Sequence, residues 1–256
     1  HRDLHSFPTR RSSDLATKLA ECAEAEELDL VHVHYAIPHT IAALLGRELL
    51  AGRPLPVITT LHGTDVTLVG RDPAFFRLVQ YALGRSDAVT AVSESLASDT
   101  RRLFGHSGPI RVIPNFTDPE RFHPQALCRC RAALGPPGDR LLIHVSNFRP
   151  VKNTPDVVRL FARVAGCLPA QLLMVGDGPE QPRCRELARE LGLLGRVHLL
   201  AETPRVEGIL ACAHLFLLPS SSESFGLAAL EAMACGLPVL ARSEERRVGK
   251  ECRSRW

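Results

Sequence analysis

The sequence lacks the features that mark several classes of protein. Over 256 residues it has one tryptophan, two tyrosines and two methionines. No apolar run reaches the roughly 18 to 20 residues that cross a bilayer, and the N-terminus does not have the pattern of a secretory signal. Phosphate loops of the forms GxGxxG and GxxxxGK[ST] are absent, as are clusters of metal ligands. We therefore expect a cytoplasmic protein with no membrane span, no metal and no cofactor.

Disulfide bonds are not expected either, although the chain has eight cysteines. The cysteines are scattered, and Cys128 and Cys130 do not have the CxxC spacing of a zinc or redox site. Most of them lie in helical or strand patterns, where a free cysteine acts as a small apolar side chain. This pattern favours a reducing compartment.

Excess positive charge is absent from the body of the chain. The formal net charge is +3, but residues 1–15 contribute +1 and residues 242–256 contribute +3, which leaves −1 for residues 16–241. Nucleic-acid-binding proteins present a basic patch or stripe on the folded surface. We therefore expect no nucleic-acid partner.

The two basic ends are predicted to be non-native. One oligonucleotide can encode Ser6–Leu15 on one strand and, on its complementary strand, Arg242–Glu251. Such a relation is typical of a translated sequencing adapter rather than of evolved structure, so residues 1–15 and 242–256 are excluded from the fold prediction. We expect the remainder, residues 16–241, to be a fragment of a longer protein.

Within that remainder, short apolar runs alternate with amphipathic helical patterns. Nearly all-apolar strands separated by helices predict parallel sheets that are covered on both faces. The predicted strands are Asp29–His34, Pro56–His62, Ala88–Val92, Arg111–Pro114, Arg140–Ser146, Gln171–Gly176, Val197–Leu200, Leu215–Leu218 and Pro238–Leu240. The fold class is therefore α/β.

The alternation is interrupted at Phe116–Gly138, which is rich in Pro, Asp, His and Gly. We predict two Rossmann-like domains, residues 16–120 and 121–241, with one short helical stretch, Gln125–Leu134, in the interruption. Open α/β sheets bind ligands beyond the carboxyl ends of their strands. The candidate residues should therefore follow predicted strands.

The first candidate segment, ESFGLAALEAMACGLPV at Glu223–Val239, follows the buried strand Leu215–Leu218. Ser224 is predicted to cap a helix over Phe225–Ala234. The backbone N–H groups of Ser224, Phe225, Gly226 and Leu227 could then bind diphosphate oxygens. Glu223 would lie beside the sugar, and Glu231, eight residues later, could accept hydrogen bonds from ribose hydroxyls. The plain alternative is a charged helix start and a solvated helix face.

The second segment, VSNFRPVKN at Val145–Asn153, carries Arg149 and Lys152 three residues apart after another buried strand. Two cations there would stabilise the negative charge that develops on a diphosphate leaving group. Solvated loop cations are the alternative.

The third segment is TTLHGTDVTLVG, Thr59–Gly70, which places His62 at the end of a strand. A lone histidine is most often structural, but a polar run at a strand end is difficult to explain by packing alone. Tyr35, in HYAIPH, follows another strand. Ser93 is interpreted as a helix cap, and the glycine-rich turn MVGDGPE, Met174–Glu180, as structural.

In their order along the chain, HVHYAIPH, TTLHGTD, AVTAVSESL, VIPNF, NFRPVK, VGDGPE and ESFGLAALEAMACGLPV resemble the retaining family-four glycosyltransferases. The resemblance covers residues 16–241 and implies the GT-B fold of two Rossmann-like domains, both incomplete here. HYAIPH, TTLHGTDVTLVG and HVSNFRPVKN resemble in particular the branch that transfers N-acetylglucosamine from UDP-N-acetylglucosamine to L-malate in bacillithiol biosynthesis. The resemblance implies small-molecule substrates and no obligatory metal.

The resemblance also implies a role for each candidate. Arg149 and Lys152 would bind the diphosphate, and Glu231 the ribose. Glu223 would contact the sugar, and His62 the sugar near the reacting centre. The acceptor malate would be held by Tyr35, Thr60 and Asn147. The family's first strand and the end of its second domain have no counterpart in residues 16–241, so we expect this fragment to be inactive.

Three alternatives stay open. The protein could be a sister glycosyltransferase that uses UDP-sugars and a different acceptor, a UDP-N-acetylglucosamine epimerase-like enzyme, or a nucleotide-sugar-binding protein without transferase activity. The combination of E-x7-E with R-x2-K argues against the epimerase.

Overall fold

The computed structural model describes residues 8–67, 72–127 and 131–242, with backbone only for residues 8–12. The chain divides into two compact units, His1–Pro114 and Asn115–Trp256. This division lies six residues before the predicted boundary at 120/121. Phe122, which is buried in the core of the second unit, and Arg121, which pairs with Glu207 of that unit, follow both boundaries.

The first unit is a four-stranded parallel sheet in the order β1-β2-β3-β4. Two of its helices begin at residues whose side chains cap them: Asp72 accepts a hydrogen bond from Ala74 N, and Ser93, as predicted, accepts one from Leu96 N. The strands are β1 Val31–His34, β2 Val57–Leu61, β3 Ala88–Ala91 and β4 Ile110–Val112, and the helices are α1 Pro8–Ala25, α2 Ile41–Glu48, α3 Thr64–Thr67, α4 Pro73–Arg85 and α5 Glu94–Phe104.

The second unit is a five-stranded parallel sheet in the order β7-β6-β5-β8-β9. The chain moves outward from β5 in one direction to β7 and then resumes on the other side of β5 at β8. Ligands of open α/β sheets bind at such a reversal. The strands are β5 Arg140–Val145, β6 Ala170–Val175, β7 Val197–Leu200, β8 Leu215–Leu218 and β9 Val239–Ala241, and the helices are α6 Thr154–Ala165, α7 Gln181–Glu190, α8 Val206–Ala211 and α9 Leu227–Ala234.

Both faces of this second sheet are covered, as the apolar strands predicted. Along β5, Leu141 and Ile143 face one apolar cluster, whereas Leu142 faces another. Every residue of β6 is buried. The α/β fold class is therefore confirmed, and all nine predicted strands are present within two residues of their predicted bounds.

Some other predictions from the sequence need correction. Cys212 forms a disulfide bond, although Cys22, Cys167, Cys184 and Cys235 are free thiols. Within the predicted helical stretch Gln125–Leu134, only Arg131–Leu134 is helical among the described residues, as a 3-10 turn.

The described part of the chain contains no helix with both the length and the apolar character of a membrane span.

The predicted non-native ends are described only in part. Residues 1–7 and 243–256 lie outside the described residues. Helix α1 starts at Pro8, so it includes residues 8–15, and its buried positions begin at Ala16 among the side chains described. The origin of both ends stays a prediction.

Candidate functional site

Lys152 and Glu223 of the second unit meet where its sheet reverses. Because β5 and β8 are parallel neighbours, the loops that follow them leave the same edge of the sheet. Lys152 Nζ lies 2.6 Å from Glu223 Oε1, and Ser220 Oγ donates a hydrogen bond of 2.7 Å to the same oxygen. The side chains in this ion pair are only 21% and 11% exposed. Two separately predicted segments therefore form one cluster.

Hydrogen bonds to backbone carbonyl groups connect these two loops. Ser221 N donates to Val151 O at 2.9 Å, and the Asn153 side chain donates to Pro219 O at 2.9 Å. Asn153 has a φ of 49°, which asparagine tolerates better than most residues. The position of Lys152 relative to Glu223 is thus set by the backbone as well as by the ion pair.

The glycine-rich turn after β6 packs against the loop that carries the cations. A Cβ atom at Gly176 would lie 1.9 Å from Ser146 O, and one at Gly178 would lie 1.9 Å from Asn147 O. Only glycine allows this approach. The segment interpreted as a structural turn therefore supports the site.

The start of α9 differs from the prediction. The helix begins at Leu227 rather than Phe225, and its cap is Gly226, with a φ of 86°, rather than Ser224. Glycine enters this left-handed conformation without steric cost, which overrides the preference of serine for a cap. No side chain caps this helix start among the described residues. Its first backbone N–H groups can therefore bind an anion, but they belong to residues two positions later than predicted.

The other candidates of this unit have distinct surroundings. Arg149 is exposed and forms no ion pair with any described residue. Asn147 is also exposed. Glu231 is half-buried on α9, and burial raises the pKa of its carboxyl, with an opposing effect from Arg121 and a reinforcing one from Glu207. A carboxylate of this kind is costly to bury unless a hydrogen-bond donor approaches it.

In the first unit, Tyr35 and His62 lie side by side. They follow the parallel neighbours β1 and β2, and their ring centroids are 5.0 Å apart. His62 Nε2 lies 2.7 Å from His34 Nδ1. Burial, and next the proximity of His34, lower the pKa of His62, while Asp65 opposes this shift. His62 is therefore held mainly neutral near pH 7, as a hydrogen-bonding rather than a cationic group.

The hydroxyl of Thr60 is already engaged. Thr60 Oγ1 lies 2.7 Å from His32 Nε2 and 2.6 Å from Thr90 Oγ1. The residue as a whole is 9% exposed. Thr60 therefore connects β2 to its two neighbouring strands, and its predicted contact with the acceptor stays a prediction.

Asp65 is a residue whose importance was missed from the sequence. Its buried carboxylate accepts hydrogen bonds from Ala36 N at 3.0 Å and Gly63 N at 2.9 Å. Burial raises the pKa of Asp65, and these backbone donors counteract that shift. Asp65 therefore ties the turn after Tyr35 to the turn after His62. The end of the third segment, residues 68–70, lies outside the described residues.

No group of three or more His, Cys, Asp and Glu side chains among the described residues is arranged to hold a metal ion. The absence of a metal requirement stays a prediction.

Comparison with known families agrees with this arrangement. Residues 131–246 match the family described as glycosyl transferases group 1, and residues 3–121 match glycosyltransferase family 4. The two matches correspond to the two units. The chain belongs to these glycosyltransferases of the GT-B fold.

Among curated relatives, the chain is 43% identical over 227 residues to N-acetyl-alpha-D-glucosaminyl L-malate synthase of Bacillus anthracis, covering 88% of this chain and 59% of the relative. It is 31% identical over 274 residues to D-inositol 3-phosphate glycosyltransferase of Mycolicibacterium paratuberculosis, covering 93% and 57%. The chain thus spans a little under three fifths of the length of these relatives.

Solved structures give the same fold. Sucrose-phosphate synthase from Thermosynechococcus elongatus superposes with a TM-score of 0.73 at 26% identity, over 94% of this chain and 63% of that one. HepE from Anabaena, in complex with UDP and glucose, superposes with a TM-score of 0.76 at 23% identity, over 89% and 62%. The second likeness concerns the fold alone.

Proposed function

We propose that the complete protein is a retaining glycosyltransferase that transfers N-acetylglucosamine from UDP-N-acetylglucosamine to L-malate. The observation that carries this proposal is the 43% identity, over 88% of this chain, with a relative of that name. The cluster of Lys152 and Glu223 beside an uncapped helix start agrees with it. The proposal keeps the cytoplasmic location predicted above.

The second unit would hold the donor. Lys152 has three N–H groups and uses one for Glu223, so two can approach the oxygens of a diphosphate. Arg149 adds a planar guanidinium that can bind two oxygens at once. The N–H groups at the start of α9 complete the anion site. These donors bind the leaving diphosphate more strongly as its charge develops, which lowers the barrier.

The two glutamates would recognise the hydroxyl groups of the donor. Both hydrogen bonds to Glu223 reach Oε1. Oε2 receives none from a described residue, so it can accept a hydrogen bond from the sugar. Glu231 would accept hydrogen bonds from the ribose, which would offset the cost of burying its charge.

As the resemblance implies, His62 would lie near the reacting centre, and Tyr35, Thr60 and Asn147 would contact malate. In the reaction, the bond from the anomeric carbon to UDP breaks, and the malate hydroxyl oxygen bonds to that carbon on the same face. The hydroxyl proton passes to the leaving diphosphate. No carboxylate nucleophile is needed, and the chain would act without metal.

A panel of acceptors tests this proposal. The complete protein is incubated with UDP-N-acetylglucosamine and, separately, L-malate, D-malate, inositol 3-phosphate or no acceptor. We expect UDP release and a glucosaminyl product only with L-malate. Product with another acceptor and none with L-malate would refute the specific assignment, and conversion without any acceptor would indicate an epimerase.

Transfer to inositol 3-phosphate is the second candidate, because relatives named for that activity match at 31% identity over 93% of the chain. The panel separates the two. A parallel assay of the 256-residue chain tests the expectation that it is inactive.

A further inference from the structure

The candidate site rests on a buried histidine that has no part in the proposed reaction. His144 lies in β5, fully buried, one residue before the strand ends. Its ring packs near the phenyl rings of Phe148 and Phe216, whose centroids are 6.2 and 6.5 Å away. Burial in these apolar surroundings lowers the pKa of His144 to about 4. The imidazole is therefore neutral near pH 7.

The hydrogen bonds of His144 determine its tautomer. Nδ1 lies 2.8 Å from Leu217 O, and since a carbonyl oxygen only accepts, Nδ1 carries the proton. In a neutral imidazole the other nitrogen is then an acceptor. Nε2 lies 2.7 Å from Ser146 Oγ, so the Ser146 hydroxyl donates to it. The direction of both bonds follows from one carbonyl group.

Ser146 connects His144 to the loop that carries Arg149 and Lys152. Ser146 Oγ donates a hydrogen bond to His144 and also accepts one from Phe148 N at 3.2 Å. Phe148 has a φ of 43°, a conformation that is costly for an aromatic residue and persists only when its surroundings hold it. Arg149 comes next in the chain, and Lys152 lies three residues beyond it.

His144 also reaches the second loop of the site. Leu217, whose carbonyl oxygen accepts the hydrogen bond from Nδ1, belongs to β8, and the chain continues from there to Ser220 and Glu223. The imidazole thus joins the ends of both strands that carry the cluster. The charged groups that affect it are Lys152, which disfavours its protonation, and Glu223, which favours it.

We propose that His144 and Ser146 form a positioning pair that fixes the conformation of the loop with Arg149 and Lys152, and that this pair sets the affinity for the diphosphate of the donor. The inference rests on the proposed function for its second part only. In this proposal both residues act through the loop and not by contact with the donor.

The first test is made on the 256-residue chain without ligand. In ¹⁵N NMR of the imidazole, we expect His144 to carry its proton on Nδ1 and to remain neutral from pH 8 to pH 5. S146A should shift the backbone amide resonances of Arg149, Lys152 and Glu223, whereas S107A, a change at an exposed serine of the other unit, should leave them unchanged. A proton on Nε2, or unchanged amide resonances in S146A, would overturn the proposal.

The second test measures the dissociation constant of UDP by calorimetry. We expect about tenfold weaker binding for S146A, and binding close to wild type for S146T, which keeps the hydroxyl. Thermal unfolding of each variant accompanies the titration, so that a folding defect is recognised; if S146A does not fold, S146T compared with S146C gives the same contrast. If the variant without the hydroxyl bound UDP as tightly as wild type, the claim that the pair sets the affinity for the diphosphate would be overturned. Absence of UDP binding to wild type would instead count against the proposed function, while the NMR result would still decide the role of the pair.

Discussion

The two units hold their candidate residues by different means. In the second unit, a half-buried ion pair between Lys152 and Glu223 joins two loops that also contact each other through backbone groups. In the first unit, Tyr35 and His62 depend on a single buried carboxylate, Asp65, and on contacts among imidazole rings. One site is built from charged side chains and the other from a buried carboxylate and neighbouring imidazole rings.

This difference corresponds to what each unit is proposed to bind. A diphosphate keeps its negative charge at physiological pH, so permanent cations and helix N–H groups suit it. An incoming hydroxyl group must lose a proton, and neutral hydrogen-bonding groups suit that part of the reaction. Removing a cation from the second unit should therefore act on donor binding, and changes at Asp65 of the first unit should act on local order.

The largest effect is expected from K152A in the complete protein. Removing the ammonium removes a group that stabilises the leaving diphosphate and leaves Glu223 without its ion pair. We expect kcat/KM for UDP-N-acetylglucosamine to fall by about 100- to 1,000-fold. R159A, which removes an exposed cation of the same unit, should change it less than about twofold. A decrease in kcat/KM of less than threefold for K152A would mean that the Lys152 ammonium does not stabilise the leaving diphosphate.

The next largest effect is on stability, from G178A. The added Cβ would lie 1.9 Å from Asn147 O, and the φ of Gly178 is 154°. Crowding and backbone strain together should lower the free energy of unfolding by about 4 kcal/mol. A Cβ atom added at Gly195 would meet no other atom within 4 Å, so G195A serves as the control. Chemical denaturation checks both, and equal losses would contradict the close approach of these loops.

Low pH should reduce the stability of the second unit, because His144 is neutral in the folded chain. Its pKa is lowered from 6.5 to about 4 in the folded chain, so between these values the unfolded chain binds a proton that the folded chain does not. The free energy of unfolding should therefore decrease as the pH falls from 7 to 4, by about 3 kcal/mol from this group. H144N should lose this part of the pH dependence. Parallel pH curves for wild type and H144N would show that His144 titrates normally.

The smallest effect is expected from D65N in the first unit. The amide offers one acceptor where the carboxylate offers two, so the donor at Ala36 N or Gly63 N loses its partner. We expect a loss of about 2 kcal/mol in the free energy of unfolding. D72N is a matched control, because Asn and Asp cap helices about equally well. If D65N and D72N unfold alike, Asp65 does not hold the turns of Tyr35 and His62.

Much of the fold could be predicted because it depends on local pattern. Buried parallel strands are nearly all apolar, as in LLMV of β6, and their bounds could be read directly. That the candidate segments should follow strands was also predictable, since open α/β sheets bind ligands beyond the carboxyl ends of their strands. The contact of Lys152 with Glu223 was not predicted. The order of strands in the sheets was not predictable in this way, because it depends on contacts between distant segments.

The errors have specific physical causes. Serine is a favoured residue at the start of a helix, so Ser224 was predicted as the cap. Gly226 instead takes the left-handed conformation that ends the loop, and the helix therefore starts later. Asp65 was not assigned a role because its partners are backbone N–H groups, which no side-chain pattern reveals. His32 and His34 carried a signal that was missed: alternation in VHVH places both on one face of β1.

The central claim is that a diphosphate binds between the loop of Arg149 and Lys152 and the start of α9. A crystal structure of the chain with UDP tests it most directly. We expect diphosphate oxygens within about 3 Å of Lys152 Nζ and of the backbone nitrogen of Leu227 or Ala228. A diphosphate bound elsewhere, with both groups empty, would contradict the account.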